Sequence, residues 1–167
     1  LSVNTDEGNV ALFNKLTGSN QKIGNWPGVT IDKKEGLIKS TEIELIDLPG
    51  IYSLSTYTSE ENITRDYLIN KQVDVIVNLV DVNSLERGLY LTTQLLDLEI
   101  PFVVALNLVE SFEKKGMLVD EKELSKDLGV KVVKISAKTG KGLGDLIQLI
   151  KQEKTQKELP LSTYTLI

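Results

Sequence analysis

Neither cysteine nor histidine occurs in the 167 residues. Their absence excludes disulfides, thiolate metal sites, Cys or Ser–His nucleophiles and histidine acid–base catalysis. What remains is the chemistry of carboxylates, hydroxyls, lysines and the backbone. Aromatic residues make up 5%, with a single tryptophan. The most apolar stretch, Val75 to Val80, is interrupted by Asn78 and is far too short to span a bilayer. Leu1 to Asn9 is polar and acidic, where a secretory leader needs a basic patch and an apolar run. A net charge of −5 argues against a nucleic-acid partner, yet an acidic domain can still cradle a small anion with backbone dipoles and a few lysines.

The chain does have the composition of an ordinary globular domain, with 41% apolar and 26% charged residues. Strand and helix signals alternate along it. Val10, Leu12, Phe13 and Leu16 recur at helical spacing, and Gly18-Ser19-Asn20 closes that helix. Val29–Lys33 and Thr41–Asp47 read as a hairpin, which places one antiparallel strand at the edge of the sheet. Ser59 reads as the N-cap of a helix reaching about Asn70. The near-continuous apolar run Val73–Asp81 is the pattern of a central strand covered on both faces, as is Pro101–Leu106. Helices are expected over Leu85–Leu98, over Glu121–Leu128 with a stop at Gly129, and from Leu143 to about Glu153. A last strand is expected over Val130–Ser136. The order predicts a doubly wound α/β fold, a three-layer sandwich whose sheet is mostly parallel with one antiparallel strand. Residues 1–154 read as one domain, and 155–167 as a tail or linker without clear periodicity.

The segment Thr41–Leu54, TEIELIDLPGIYSL, is a strand cut off by Asp47-Leu48-Pro49-Gly50. In an α/β sheet ligands bind at the carboxyl ends of the strands, so Asp47 points into that crevice. Pro49 stops the strand, and Gly50 lets the backbone approach a ligand and donate its N–H. Three other loops have similar positions: Gly24–Thr30, Asn107–Glu110 and Ser136–Lys138.

In order and spacing the four loops resemble the G domain of a small GTPase. More narrowly, QKIGNWPGVTIDKKEG, DLPGIYSLS, RDYL and LERGLYLTTQLLDLEIPFVVALN together resemble the cytosolic G domain of FeoB-type ferrous iron transporters, over about residues 8–150. The resemblance implies GTP or GDP with Mg²⁺, and K⁺ as a further ion. It implies that Gly28-Val29-Thr30 closes over the nucleotide, with Thr30 reaching Mg²⁺ and the γ-phosphate. Asp47 would order a water in the magnesium shell, and Gly50 N–H would contact the γ-phosphate. Thr30 and Gly50 are thus the catalytic candidates, and Thr30 and Asp47 the metal candidates. Asn107 and Glu110 would read the guanine from one side, with Ser136, Ala137 and Lys138 holding it from the other. The implied partners are guanine nucleotide and a membrane permease domain of the same transporter, and the implied location is the cytoplasmic side of the bacterial inner membrane.

The chain departs from the family pattern in two places. Aspartate normally ends the base-reading loop, where this sequence has Glu110, one methylene longer. The family's phosphate loop, GNPNVGK followed by two hydroxyl residues and LFN, can be laid back from Leu12-Phe13-Asn14. It pairs its second glycine with Gly8, its lysine with Asn9 and its magnesium-binding hydroxyl with Val10. Its first glycine falls on Val3, and the asparagine that assists potassium falls on Asp6. Phosphates would thus meet Asp6 and Glu7 and a helix N-terminus offering only backbone N–H groups. Efficient GTP hydrolysis is not expected from such a loop. The alternative is a pseudo-GTPase, a binding or regulatory module without turnover.

Overall fold

The computed structural model describes residues 2–3, 7–55, 57–70, 73–108, 112 and 114–158. Seven strands are β1 (Ser2–Val3), β2 (Gln21–Asn25), β3 (Asp32–Leu37), β4 (Glu44–Leu48), β5 (Ile76–Asp81), β6 (Phe102–Asn107) and β7 (Lys131–Ile135). Among the described residues the α-helices are α1 (Glu7–Thr17), α2 (Ser59–Asn70), α3 (Leu85–Leu96), α4 (Glu121–Leu128) and α5 (Leu143–Glu158). The strands form one sheet in the order β2-β3-β4-β1-β5-β6-β7. Pairing is parallel from β4 through β7, and the two-residue β1 joins the two halves through Val3 opposite Leu48 and Ser2 opposite Val77. β3 is antiparallel to both β2 and β4, so it alone runs against the others.

Helices cover both faces, and the sequence shows why. Along β5 the apolar side chains alternate between two cores: Ile76 and Val80 join Leu91 and Leu95 of α3, while Val77 and Leu79 join Leu12, Phe13 and Leu16 of α1 and Leu146 and Ile150 of α5. Both faces are dry, which is why the strand reads as an unbroken apolar run. Asn78 interrupts the run: its Nδ2 donates to Thr92 Oγ1 at 2.7 Å inside the α3-side core, while its buried Oδ1 has no partner among the described residues. Gly88 lets α3 approach that closely, because a Cβ there would meet Val80 Cγ1 at 2.6 Å.

Four expectations are corrected. The edge strand is β2, Gln21–Asn25, which reading Gly24 onward as loop obscured; glycine is tolerated there because an edge strand pairs on one side only. The antiparallel strand therefore lies second from the edge, and it covers Asp32–Leu37 rather than Val29–Lys33. The cap of α2 is Thr58, not Ser59: Glu61 N donates to Thr58 Oγ1 at 3.1 Å and Thr58 N to Glu61 Oε2 at 3.2 Å, a capping box. Finally, α5 continues past Glu153 to Glu158. α4 ends where expected, with Gly129 at φ 70°. Among the described residues no helix is long and apolar enough to cross a membrane.

Candidate functional site

β2 and the five mutually parallel strands all end on one edge of the sheet, so their loops converge by topology. Asp47 and Asn107, the two most informative candidates, lie on this edge. Asn107 ends β6 opposite Asp81 of β5 and Ile135 of β7. Its Oδ1 accepts from Ala137 N at 3.0 Å, which fixes the loop after β7 against the loop after β6. The loop after β7 is tightly wound: Ser136 N donates to Lys141 O at 2.9 Å and Gly140 N to Ser136 O at 2.8 Å. Gly142, at φ 79°, is required there, since a Cβ would run into the Lys134 carbonyl oxygen. Ala137 is buried, Ser136 half-buried and Lys138 exposed. Glu110 lies outside the described residues, as do Asp6 and the other residues between β1 and α1.

α1 starts beside these loops. A Cβ on Gly8 would sit 3.5 Å from Asn107 Nδ2, so the start of α1 and the end of β6 are in contact. Asn9 is 4% exposed, and its side chain hydrogen-bonds the Asp47 carboxyl. Asp47 Oδ1 is buried with no partner among the described residues. Burial raises the Asp47 pKa above the ordinary carboxylate value, against the pull of the Lys34 charge and the Asn9 hydrogen bond. An orphaned, desolvated carboxylate oxygen fits a cation's hydration shell. The adjoining position does not: Val10 offers no oxygen and is exposed. Among the described residues no group of three or more carboxylates forms an all-protein metal cage.

The loop after β2 is a closed hairpin end. Trp26 N donates to Ile31 O at 2.9 Å and Val29 N to Trp26 O at 3.3 Å, with Gly28 at φ 78°. Trp26 is buried against α2, edge-on to Tyr67 with ring centroids 5.3 Å apart, and Lys33 Nζ lies 5.1 Å from its centroid. Gly28 and Thr30 are exposed at this end and Val29 is half-buried. The structure thus links Gly8, Asn9, Asp47, Asn107 and Ala137 by direct contacts, and leaves Thr30 facing solvent.

Three residues outside the site candidates hold the segment after Asp47, among them Glu61, expected only as an acidic residue in the first turn of α2. Thr64 Oγ1 of α2 donates to Pro49 O at 3.3 Å, beside half-buried Gly50. Gln94 Oε1 of α3 accepts from Leu54 N at 2.8 Å. Glu61 accepts from Ser55 Oγ at 2.7 Å, from Ser53 Oγ and from Tyr57 N, and these bonds, the Ser55 bond foremost, lower its pKa. Only the T-x-x-E spacing of Thr58 and Glu61 could have been read in advance. Beside Gly8 and Asn107 a cavity of about 110 Å³ opens, walled also by Ile51, Leu79, Asp81 and Arg87.

The family described as "Ferrous iron transport protein B" matches residues 1–150. The Fe(2+) transporter FeoB of Escherichia coli K12 is 41% identical over 96% of this chain, and that of Salmonella typhimurium LT2 is likewise 41% identical. The chain spans 22% of the length of these relatives. An S. thermophilus NFeoB variant bound to GDP superimposes with a TM-score of 0.88 at 41% identity, covering 93% of this chain and 62% of that one. The cytosolic domain of T. maritima FeoB in its GMPPNP form gives 0.85 at 40% identity, over 90% of this chain and 62% of that one. The T. maritima G domain gives 0.82 at 37% identity, over 91% of this chain and 96% of that one. With its fold, its loop edge and these likenesses in agreement, the chain belongs to the ferrous iron transport protein B family and corresponds to its N-terminal G domain.

Proposed function

We propose that this chain is the guanine-nucleotide-binding regulatory domain of a ferrous iron transport protein, and that it hydrolyses GTP weakly. In this reading residues 1–154 are a GTPase-like G domain of the P-loop class and 155–167 a tail or linker. The base lies between Asn107 with Glu110 and Ser136-Ala137-Lys138. Gly8 and Asn9, through their backbone N–H groups, and Gly50 face the phosphates, and Gly28-Val29-Thr30 closes over them. Asp47, later joined by Thr30, holds Mg²⁺ through its hydration shell, and K⁺ is a further expected ion. The partner is a membrane permease domain of the same transporter, which places the chain on the cytoplasmic side of the cell membrane.

The observation that carries weak hydrolysis is the inward turn of Asn9. Where the family pattern has a phosphate-binding lysine, this side chain is buried and bonded to Asp47. A charge-assisted phosphate contact is worth ~1.5–3 kcal/mol, so its loss weakens binding roughly tenfold to a hundredfold. Losing a preorganised donor to developing charge costs ~10²–10³ in rate. Val10 removes a magnesium ligand as well. The same observation favours a second reading, a pseudo-GTPase that binds nucleotide and does not turn it over.

Asn9→Lys combined with Val10→Thr separates the defect from the rest of the fold. Affinity for GTP and its turnover, measured by calorimetry and phosphate release, should rise together in the double variant. No gain in either would locate the defect outside α1.

A further inference from the structure

If Asn9 is turned inward, the phosphates of a bound nucleotide still need a cation, and β3 carries one on the right face. β3 alternates strictly. Lys33 and Glu35 face α2: Lys33 lies over the Trp26 ring and pairs with Glu35 at 2.7 Å. Lys34 and Gly36 face the other way, toward α1, since a Cβ on Gly36 would meet the Thr17 side chain at 3.0 Å. Lys34 is the direct cross-strand partner of Asp47. Directly opposed side chains on one face of an antiparallel pair have Cβ atoms roughly 4.5–5.5 Å apart, and lysine carries its charge on a flexible four-carbon stem. Stepping from Gly36 to Lys34 moves about 6.6 Å along the strand, away from the C-terminal end of α1 and toward its N-terminus, where Asn9 meets Asp47.

Resting on the nucleotide reading above, we infer that Lys34 is the phosphate-binding cation of this chain, meeting the terminal phosphate from β3 in place of a lysine on α1. The geometry also gives Asn9 a purpose. By holding the Asp47 carboxyl from the α1 side, it keeps that anion from pairing fully with Lys34, whose ammonium stands near Asp47 with no ion pair to it within 4.0 Å. A compact ammonium on a flexible stem swings toward polyphosphate oxygens and forms charge-assisted hydrogen bonds there. Lys33 cannot substitute, being on the opposite face and paired with Glu35.

The test is GTP binding by calorimetry to the unaltered chain, Lys34→Met, Lys34→Arg, Lys33→Met and Lys34→Met combined with Asn9→Lys, with folding of each checked by thermal unfolding. Lys34→Met should lose roughly 10- to 100-fold in GTP affinity, Lys34→Arg most of neither charge nor affinity, and Lys33→Met less than about threefold. Adding Asn9→Lys to Lys34→Met should restore binding. Lys34→Gln takes the place of Lys34→Met if the latter does not fold. Unchanged GTP affinity in Lys34→Met, or equal losses in the Lys33 and Lys34 variants, overturns the assignment and leaves the nucleotide reading standing. An unaltered chain that binds no GTP overturns the nucleotide reading itself and the role of Lys34 with it.

Discussion

At the scale of single residues the site is defined by a carboxylate held at a cost. Asp47 is half-buried beside Asn9, with its buried Oδ1 unpartnered among the described residues, and desolvation lifts its pKa. For an acid whose folded pKa is raised, the folded state binds a proton that the unfolded state has released. Stability therefore rises as pH falls through the raised folded value toward 3.8, and is lower above it, where Asp47 is charged in both states. Asp47→Asn should accordingly raise the melting temperature of the nucleotide-free domain at neutral pH and flatten its pH dependence in that window, while weakening Mg²⁺-nucleotide binding. Thermal unfolding between pH 4 and pH 7 checks this; a lower melting temperature at pH 7 would mean that the Asn9 and Lys34 contacts outweigh desolvation. Asn107 sets a second expectation. Its replacement by alanine should weaken guanine nucleotides selectively, because a buried polar edge left unpaired costs about 1–3 kcal/mol, with ATP scarcely affected in the same titration. That Asp47 and Asn107 share an edge was legible because each ends a β-favouring run. The bond from Asn9 to Asp47 was not, because nothing in the spacing says that a polar residue in the first turn of α1 turns inward.

At the scale of elements, α2 ties the loops together. It receives Trp26 from the loop after β2 against Tyr67, and through Thr64 it holds Pro49 of the loop after β4. Its own start depends on Thr58 and Glu61, so Thr58→Ala should cost ~0.5–2 kcal/mol in a denaturant titration and loosen the segment from Ser53 onward. Trp26, the single tryptophan, reports this arrangement directly. A GTP analogue with Mg²⁺ should shift its emission more than GDP does, because only a third phosphate offers Thr30 different contacts in two loop states. A difference surviving Thr30→Ala unchanged would remove Thr30 as the sensor. The central strands and α4 could be read from apolar runs and a glycine stop. The β2 edge strand could not, because Gly24, Pro27 and Gly28 mark a turn so strongly that they mask the five residues of extended chain, Gln21–Asn25, leading into it.

At the scale of the whole molecule, a mostly parallel sheet covered on both faces brings loops distant in sequence to one edge, and solved relatives of the same family are bound to GDP or in a GMPPNP form. Alternation of strands and helices made this layering legible. Contacts made across 40 residues, such as Gln94 to Leu54, carry no local signal and emerged only with the fold. The most direct measurement is a calorimetric titration of the unaltered chain with GTP, GDP and ATP at millimolar Mg²⁺. The expected result is binding of both guanine nucleotides, weakened by the missing lysine on α1, with ATP at least tenfold weaker under the base-reading role proposed for Asn107. Equal affinity for GTP and ATP, or binding of none of the three, would contradict it.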